Sequence, residues 1–150
     1  MKTVYNNNTI QELTQRIDKI QDNSKAQWGK MNAYQMLVHC VKNEEMLQGK
    51  RVYKRNFIGK LFGKMTLKSI LKDNAPLKKN QPTHPDLIIT QQGSVAHPKQ
   101  QWIALVKEYG QLSASQMGEL IHPFFGKMTH EKLGKYAYKH IDHHLRQFGV

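Results

Sequence analysis

The C-terminal segment from residue 129 to residue 148 reads THEKLGKYAYKHIDHHLRQF. Thr129 can cap a helix here, because a short polar side chain accepts from the free amides of a first turn, and the helix runs to about Phe148. Side chains four residues apart lie one turn apart on one helix face, so His140 and His144 can point at the same ion. The segment therefore predicts a helix that presents a pair of imidazoles, which are common ligands of zinc, nickel, copper and iron.

Two histidines seldom complete a metal site, and a second predicted helix offers a third. Asn32 can cap this helix, which runs to about Gln48, and one of its faces is polar because Gln35, His39 and Asn43 recur every four residues. A helical bundle brings facing helices to within about 8–10 Å, close enough for inward imidazoles to meet. Three histidines leave at least one position for water, which is the arrangement of a catalytic site.

The histidine pattern also has simpler explanations. A His-x-x-x-His spacing alone is a weak signal, and a surface pair beside Asp142 and Arg146 would be unremarkable. For His39 alone, a hydrogen-bonded core histidine is the simpler interpretation. Spacing alone therefore leaves metal binding and ordinary structural roles both open.

Several other side chains could line a pocket at this site. Gln35 and Asn43 could orient a ligand or a substrate, or they could form interhelical hydrogen bonds. Tyr136, one turn before the C-terminal pair, could form part of the pocket wall or pack in the core. His143 points to one side of the pair and cannot easily share their ion, although it can border the pocket. His122 lies in a predicted turn, where a turn-stabilising hydrogen bond is its expected role.

No nearby acidic or thiol group is a convincing general base or nucleophile. Asp142 faces away from the histidine pair, so we expect it in a surface salt bridge. Glu44 and Glu45 lie near the end of the second helix, where we expect solvent exposure. Cys40 points about 100° away from its neighbour His39, which favours a small core residue. The catalytic residues are therefore unknown from the sequence.

Hydrophobic spacing predicts two further bundle helices. The first can be capped by Asn7 or Asn8, and the other extends over residues 98–110 with Pro98 in its first turn. Both have an apolar stripe at three- and four-residue steps. The inward residues are Ile10, Leu13, Ile17, Ile20, Trp102, Leu105, Val106 and Tyr109, and the core candidates of the second helix are Met36, Leu37, Cys40 and Leu47. Since no convincing alternating strand or internal repeat is present, the pattern predicts a single all-α domain over residues 1–150, an up-and-down bundle of four helices.

Residues 50–98 do not fit the four-helix pattern. Residues 50–72 form a basic amphipathic segment with approximate helical spacing, although Gly59 and Gly63 weaken the helix prediction. Membrane-surface helices and calmodulin targets have this composition, but packing against the chain's own bundle is the simpler interpretation. Residues 73–98 contain four prolines and predict a long loop around the bundle, with a short extended piece near Leu87.

Composition limits the compartment and the partners. The chain has 150 residues, one cysteine and a formal net charge of +12. No span of about 20 apolar residues and no secretory signal is evident, so we expect a cytoplasmic protein. The charge, concentrated in residues 50–79, admits nucleic acid, anionic lipid or an acidic small molecule as partner. No zinc-finger spacing, RNP-like motif or glycine-rich phosphate loop favours nucleic acid, and a solvated basic face is the simpler interpretation.

Three stretches resemble the signatures of the DinB-like superfamily. Residues 28–39 (WGKMNAYQMLVH) resemble its first signature, a tryptophan followed by a helix with a metal histidine. Residues 122–129 (HPFFGKMT) and 138–148 (YKHIDHHLRQF) resemble its second signature, in the form found in a branch of uncharacterised bacterial proteins that ends in His-x-x-His-His-Leu-x-Gln-Phe. The match touches both ends of the chain, and the paired motifs are fairly specific.

The resemblance implies a four-helix bundle with a three-histidine site. Its ligands would be His39, His140 and His144, holding one divalent ion such as zinc, nickel, iron or manganese. Described members include metal-dependent hydrolases and transferases that use low-molecular-weight thiols, and many others have no established activity. Members often form dimers, for which Phe57, Phe62 and the loop of residues 73–98 could supply an interface. The alternative is a non-catalytic protein that binds anionic ligands or nucleic acid through its basic surface.

Overall fold

The computed structural model describes residues 1–112 and 120–150. In these two ranges the chain is mostly helical. Its α-helices are α1 (Asn7–Asp18), α2 (Ala33–Leu47), α3 (Phe57–Ile70), α4 (Ala96–Glu108) and α5 (His130–Gln147). Strands β1 (Leu120–His122) and β2 (Gly126–Met128) lie just before α5, and short 3₁₀ turns occupy Pro85–Leu87 and Tyr109–Gln111. The predicted helical fold class is confirmed at this level, and α4 begins two residues before the predicted start.

Polar side chains cap the starts of four helices. Asn32 accepts a hydrogen bond from the backbone N–H of Gln35 at 2.9 Å, and the Gln35 side chain accepts from the Asn32 N–H at 3.0 Å, which forms a capping box at α2. Thr129 caps α5 and Asn56 caps α3. The cap of α1 is Asn6 rather than residue 7 or 8, one position earlier than the spacing predicts.

A common apolar core lies between α1, α2, α4 and α5. Helices α1 and α2 each contact both α4 and α5. Every inward residue predicted for α1 and α4 is buried, and so are the predicted core residues of α2, Met36, Leu37, Cys40 and Leu47. Trp102 of α4 is completely buried. The three- and four-residue spacing therefore identified the packed faces of these three helices correctly.

Helix α3 does not pack as the sequence predicts. Five of its large apolar side chains face solvent, whereas Gly59, Gly63 and Leu67 face the protein. A Cβ atom at Gly63 would lie 1.9 Å from the carbonyl oxygen of Phe124, and one at Gly59 would lie 2.6 Å from the same oxygen. The expectation that the apolar stripe packs on the bundle is wrong for most of the helix, because the close approach of two backbones requires the residues without side chains. Ile70 and Leu71, at the end of the stripe, do pack against the core.

The segment 120–128 is a β-hairpin rather than an isolated turn. Leu120 pairs with Met128 and His122 with Gly126, in antiparallel register. Gly126 has a φ of 77°, a left-handed conformation that glycine adopts without strain. His122 Nδ1 accepts hydrogen bonds from the backbone N–H groups of Phe124 and Phe125 at 3.1 and 3.2 Å. The expected turn-stabilising role of His122 is confirmed, whereas the two short strands were not predicted.

The loop between α3 and α4 is held against the helices at two places, near its start and at Leu87. Lys139 of α5 donates to the carbonyl oxygens of Ile70 and Ala75 at 2.6 and 2.9 Å. Leu87, which is in a 3₁₀ turn and not in an extended piece, is buried, and its carbonyl oxygen lies 3.0 Å from His39 Nδ1. The loop therefore reaches the predicted site. Within the described residues, no helix is both long and apolar enough to cross a membrane.

Candidate metal centre

His39, His140 and His144 meet in the interior. α2 supplies His39, and α5 supplies the other two from adjacent turns. The three residues are 4%, 8% and 6% exposed, and one ring nitrogen from each lies within 4.8 Å of the other two. These three buried histidines could hold a metal ion. The spacing argument therefore placed the right residues together.

The separation of two of the ring nitrogens matches that around a small metal ion. His39 Nε2 and His140 Nε2 are 3.4 Å apart. Two nitrogens bound tetrahedrally at about 2.0–2.1 Å from zinc lie about 3.3–3.4 Å from one another. The pair is thus spaced as two ligands of one ion would be, and in the metal-free protein the same separation allows a hydrogen bond between the two rings.

Hydrogen bonds at the far side of two rings direct Nε2 inward. His39 Nδ1 donates to the Leu87 carbonyl at 3.0 Å, and His144 Nδ1 donates to Gln147 Oε1 at 2.9 Å. Gln147 Nε2 in turn donates to the Trp28 carbonyl at 2.8 Å, which fixes the amide so that its oxygen faces the histidine. Because both Nδ1 atoms carry the hydrogen, both Nε2 atoms keep a free lone pair, as a metal ligand requires.

The third ring, His140, is next to the amide of Asn43. Asn43 Nδ2 lies 3.2 Å from His140 Nδ1 and 3.4 Å from Glu44 Oε1. In this orientation Asn43 donates to Nδ1, which leaves the hydrogen on His140 Nε2, facing His39. A half-turn of the amide would present Oδ1 to a protonated Nδ1 and free Nε2 as a ligand. Asn43 thus controls which nitrogen of His140 is available.

Burial keeps all three imidazoles neutral. Desolvation is the largest cause that lowers the pKa of His39, His140 and His144 below the ordinary value of 6.5. The neighbouring imidazoles lower the pKa of His140 and His144 further, whereas the Leu87 carbonyl partly offsets the lowering at His39. Neutral imidazole is the form that binds metal, so the site is ready for a cation at neutral pH.

Glu44 is a buried carboxyl group that sequence reasoning placed in solvent. It is completely buried, Tyr109 Oη donates to it at 2.6 Å, and its Oε1 lies 4.0 Å from His140 Nδ1. Burial raises its pKa to about 7 from 4.5, against the opposing effect of the Tyr109 hydrogen bond. The helical spacing contained a signal for this position, because Glu44 falls on the same face as the core residues Cys40 and Leu47.

The other predicted pocket residues have different positions. The Tyr136 ring is buried, with its centroid 6.0 Å from that of His140 and 5.6 Å from that of His122, so it borders the site. His143 is half-buried with its ring against Trp28, outside the converging set. The side chain of Gln35 is engaged in the cap of α2. Asn43 and Tyr136 therefore lie at the site, and His143 borders it through the ring of His144, with the two ring centroids 5.1 Å apart. Gln35 has its contacts elsewhere, in the cap of α2.

Two further predictions concern residues beside the ligands. Cys40 is completely buried, and burial raises the pKa of its thiol well above the ordinary value, as a core residue requires. Asp142 forms the expected salt bridges, at 2.8 Å to Arg16 Nη1 and 2.7 Å to Arg146 Nε. The expectation that Asp142 lies at the surface is wrong, because it is 7% exposed and its salt bridge to Arg16 joins α5 to α1.

Comparison of the chain with protein-family models, with curated proteins and with solved structures gives no match. The resemblance to the DinB-like superfamily therefore stays a prediction from the quoted motifs. Gln147 and Leu87, which hold two of the rings, were not predicted as site residues, although Gln147 stands one turn after His144 in the C-terminal run.

Asn43 and Gln35 can be distinguished by matched substitutions. We expect Asn43→Ala to weaken metal binding about 10- to 100-fold, since His140 then loses the amide oxygen that, after the half-turn, holds Nδ1–H and leaves Nε2 for the metal. Gln35→Ala should leave metal affinity unchanged and cost about 1 kcal/mol of stability through the cap. Competition with a chromophoric chelator gives the affinities, and urea unfolding gives the stabilities. Equal affinities in the two variants would contradict this assignment.

Proposed function

We propose that this chain is a DinB-like four-helix bundle and a metal-dependent enzyme, either a hydrolase or a transferase of a low-molecular-weight thiol. The observation that carries the proposal is the convergence of three buried imidazoles, two of them with Nδ1 hydrogen-bonded so that Nε2 faces the others. The contacts of α1 and α2 with α4 and α5 support the bundle assignment. One ligand from the second helix and two from the last reproduce the arrangement that the resemblance implies.

The donor set suits several divalent ions. Three imidazoles accept zinc, nickel, iron or manganese, so the residues present do not select one metal. Three protein ligands leave a position for water or substrate, in contrast to the four of a closed structural site. A divalent ion with such an opening lowers the pKa of a bound water or thiol and polarises a carbonyl group.

Buried aromatic side chains and His122 line one side of the histidine cluster. Tyr136 and Phe125 are buried beside His122, with ring centroids 4.9 Å apart. His122 Nδ1 accepts two backbone hydrogen bonds, so its remaining hydrogen is on Nε2. Burial lowers the pKa of His122 to about 3, so the ring is a neutral hydrogen-bond donor at neutral pH. Exclusion of water strengthens every electrostatic interaction inside such a wall.

The proposed activity is tested with metal-loaded protein. We expect turnover of one class in a panel of esters, amides and activated electrophiles, the last offered with a low-molecular-weight thiol. Turnover should stop with a chelator and in His144→Ala, because the site then loses its ion or a ligand. His97→Ala is the matched control, since His97 is exposed on α4, outside the cluster, and its variant should keep full activity.

The competing function is binding of nucleic acid or another anion through the basic surface. Such binding must weaken steeply with salt and should survive His144→Ala. Tight, salt-sensitive binding of an oligonucleotide together with no metal-dependent turnover would favour that function over the enzyme.

A further inference from the structure

Helix α3 presents an apolar face to solvent. Its exposed side chains on this face are Phe57 (72%), Ile58 (62%), Leu61 (61%), Phe62 (50%) and Met65 (66%). At 100° per residue these five positions span about 140° of the helix circumference. An exposed group of large apolar side chains on one face is typical of an interaction surface and not of an ordinary solvated helix.

The face is fixed in place by the opposite side of the same helix. Gly59, Gly63 and Leu67 are buried, and the backbone of Phe124 lies directly against the two glycines. The Gly59 N–H donates to Asn56 Oδ1 at 2.6 Å, and this N-cap bond holds the first turn. Because Cβ atoms at the glycines would clash, α3 cannot rotate its apolar side inward without leaving the hairpin. The apolar face is therefore part of the folded structure.

Lysines flank this face along the whole helix. Lys60, Lys64 and Lys68 recur every four residues and are all exposed, so they form a row along one border of the apolar arc. Lys54, Arg55 and Lys72 add exposed positive charge at the two ends. No acidic residue occurs between residues 50 and 72, and the chain as a whole has a formal net charge of +12.

We propose that α3 docks this protein onto the surface of a bilayer containing anionic lipid. The apolar arc would enter the boundary between headgroups and acyl chains, and the lysine row would lie among the anionic headgroups. Because the glycine side of α3 is packed against the hairpin, only the opposite, apolar face is available. One exposed helix face can lie flat on a planar surface. The contact is peripheral, consistent with the absence of a membrane-spanning helix among the described residues.

Charge favours this occupant over two others. A second copy of the chain would bring two lysine rows together, and like charges at an interface oppose association. A nucleic acid would pair with the lysines but would leave Phe57, Leu61 and Met65 without a partner. Of these three occupants, a surface that is anionic and also apolar below its headgroups is the one that satisfies both parts of the helix.

Vesicle sedimentation of the full chain tests the proposal. We expect binding to vesicles of phosphatidylcholine with 30% phosphatidylglycerol, and binding at least about tenfold weaker to phosphatidylcholine alone. A Leu61→Ser/Phe62→Ser double variant should lose at least about tenfold in affinity for the anionic vesicles, since two anchoring side chains are gone. Both positions are exposed, so the variant should fold normally.

Matched variants distinguish binding through the apolar face of α3 from non-specific adsorption to vesicles. Ile88→Ser removes an equally exposed apolar side chain (60%) outside α3 and should bind as the parent does. Lys60→Glu/Lys64→Glu should weaken binding, and the same charge change at the exposed Lys19 and Lys107 should weaken it much less. Stripping the metal should have no effect, so the result is independent of the proposed enzyme function.

Three results would overturn the proposal. One is equal binding to neutral and anionic vesicles, and another is anionic binding that the Leu61→Ser/Phe62→Ser variant retains. The third is a dimer in analytical ultracentrifugation that the same variant dissociates, in a protein that binds no vesicles, which would assign the face to a second copy.

Discussion

Replacement of either His140 or His144 by alanine is expected to abolish metal binding. The purified, untagged parent should contain about one equivalent of a divalent metal, and both variants should contain none. Each substitution leaves two imidazoles. Among the described residues, the converging set contains no fourth histidine that could replace the lost ligand. Elemental analysis by inductively coupled plasma mass spectrometry measures the content directly.

The control for this result is His97→Ala, which removes an exposed histidine on α4 and should keep the parent's metal content. Circular dichroism of all four proteins establishes whether the helices persist when the metal is lost. A parent that holds no metal after incubation with zinc, nickel and manganese, followed by removal of the excess, would count decisively against the metal centre.

Glu44→Gln should change how the stability of the metal-free protein depends on pH. The pKa of Glu44 is about 7 in the folded chain and 4.5 for an ordinary glutamate. Between these values the folded state binds more protons than the unfolded state, so the contribution of Glu44 to stability falls as pH rises. Its unfavourable effect is absent below about pH 4.5 and complete above pH 7, where it reaches about 3 kcal/mol.

The glutamine variant removes this titration. Its free energy of unfolding relative to the parent should therefore increase by about 3 kcal/mol between pH 4.5 and pH 8. The buried histidines act in the opposite direction, because their lowered pKa values make stability fall as pH drops below 6.5. The contributions of His39 and His144 are common to parent and variant, so the difference between the two proteins reports the carboxyl group together with its neighbour His140.

Urea unfolding in the presence of a chelator, repeated across this pH range, gives the required free energies. Glu45→Gln is the matched control, since its carboxylate is at the surface beside Arg51 and should change stability by less than about 1 kcal/mol at any pH. A constant difference between Glu44→Gln and the parent from pH 4.5 to pH 8 would show that Glu44 does not have a raised pKa.

Local spacing predicted the histidine cluster and the packed faces of α1, α2 and α4. Periodicity has this power because residues three and four apart share a helix face whatever the remainder of the fold does. Thr129 and Asn32 were identified as caps on equally local grounds. The groups that orient the rings could not be predicted in this way, since the backbone carbonyls of Leu87 and Trp28 reach His39 and Gln147 from distant parts of the sequence.

Helix α3 shows why hydropathy alone misassigned a face. Large apolar residues ordinarily mark the buried side of a helix, and glycine ordinarily counts against helix formation. In α3 the buried side is marked by Gly59 and Gly63, because the hairpin backbone approaches too closely for any side chain. Glu44 was misassigned for the converse reason, since a charged residue on an apolar face was expected to reach solvent.

The hydrogen bond from His39 to the Leu87 carbonyl makes one metal ligand dependent on a loop and not on the helices. Lys139, the residue before His140, fastens the start of that loop to α5, so the length of chain between Ala75 and Leu87 sets where the carbonyl falls. Insertions or deletions between Ala75 and Leu87 could change the basicity and the orientation of His39 while every helix stays intact. The site is thus open to adjustment by evolution or by a protein engineer through a segment that contributes no ligand of its own.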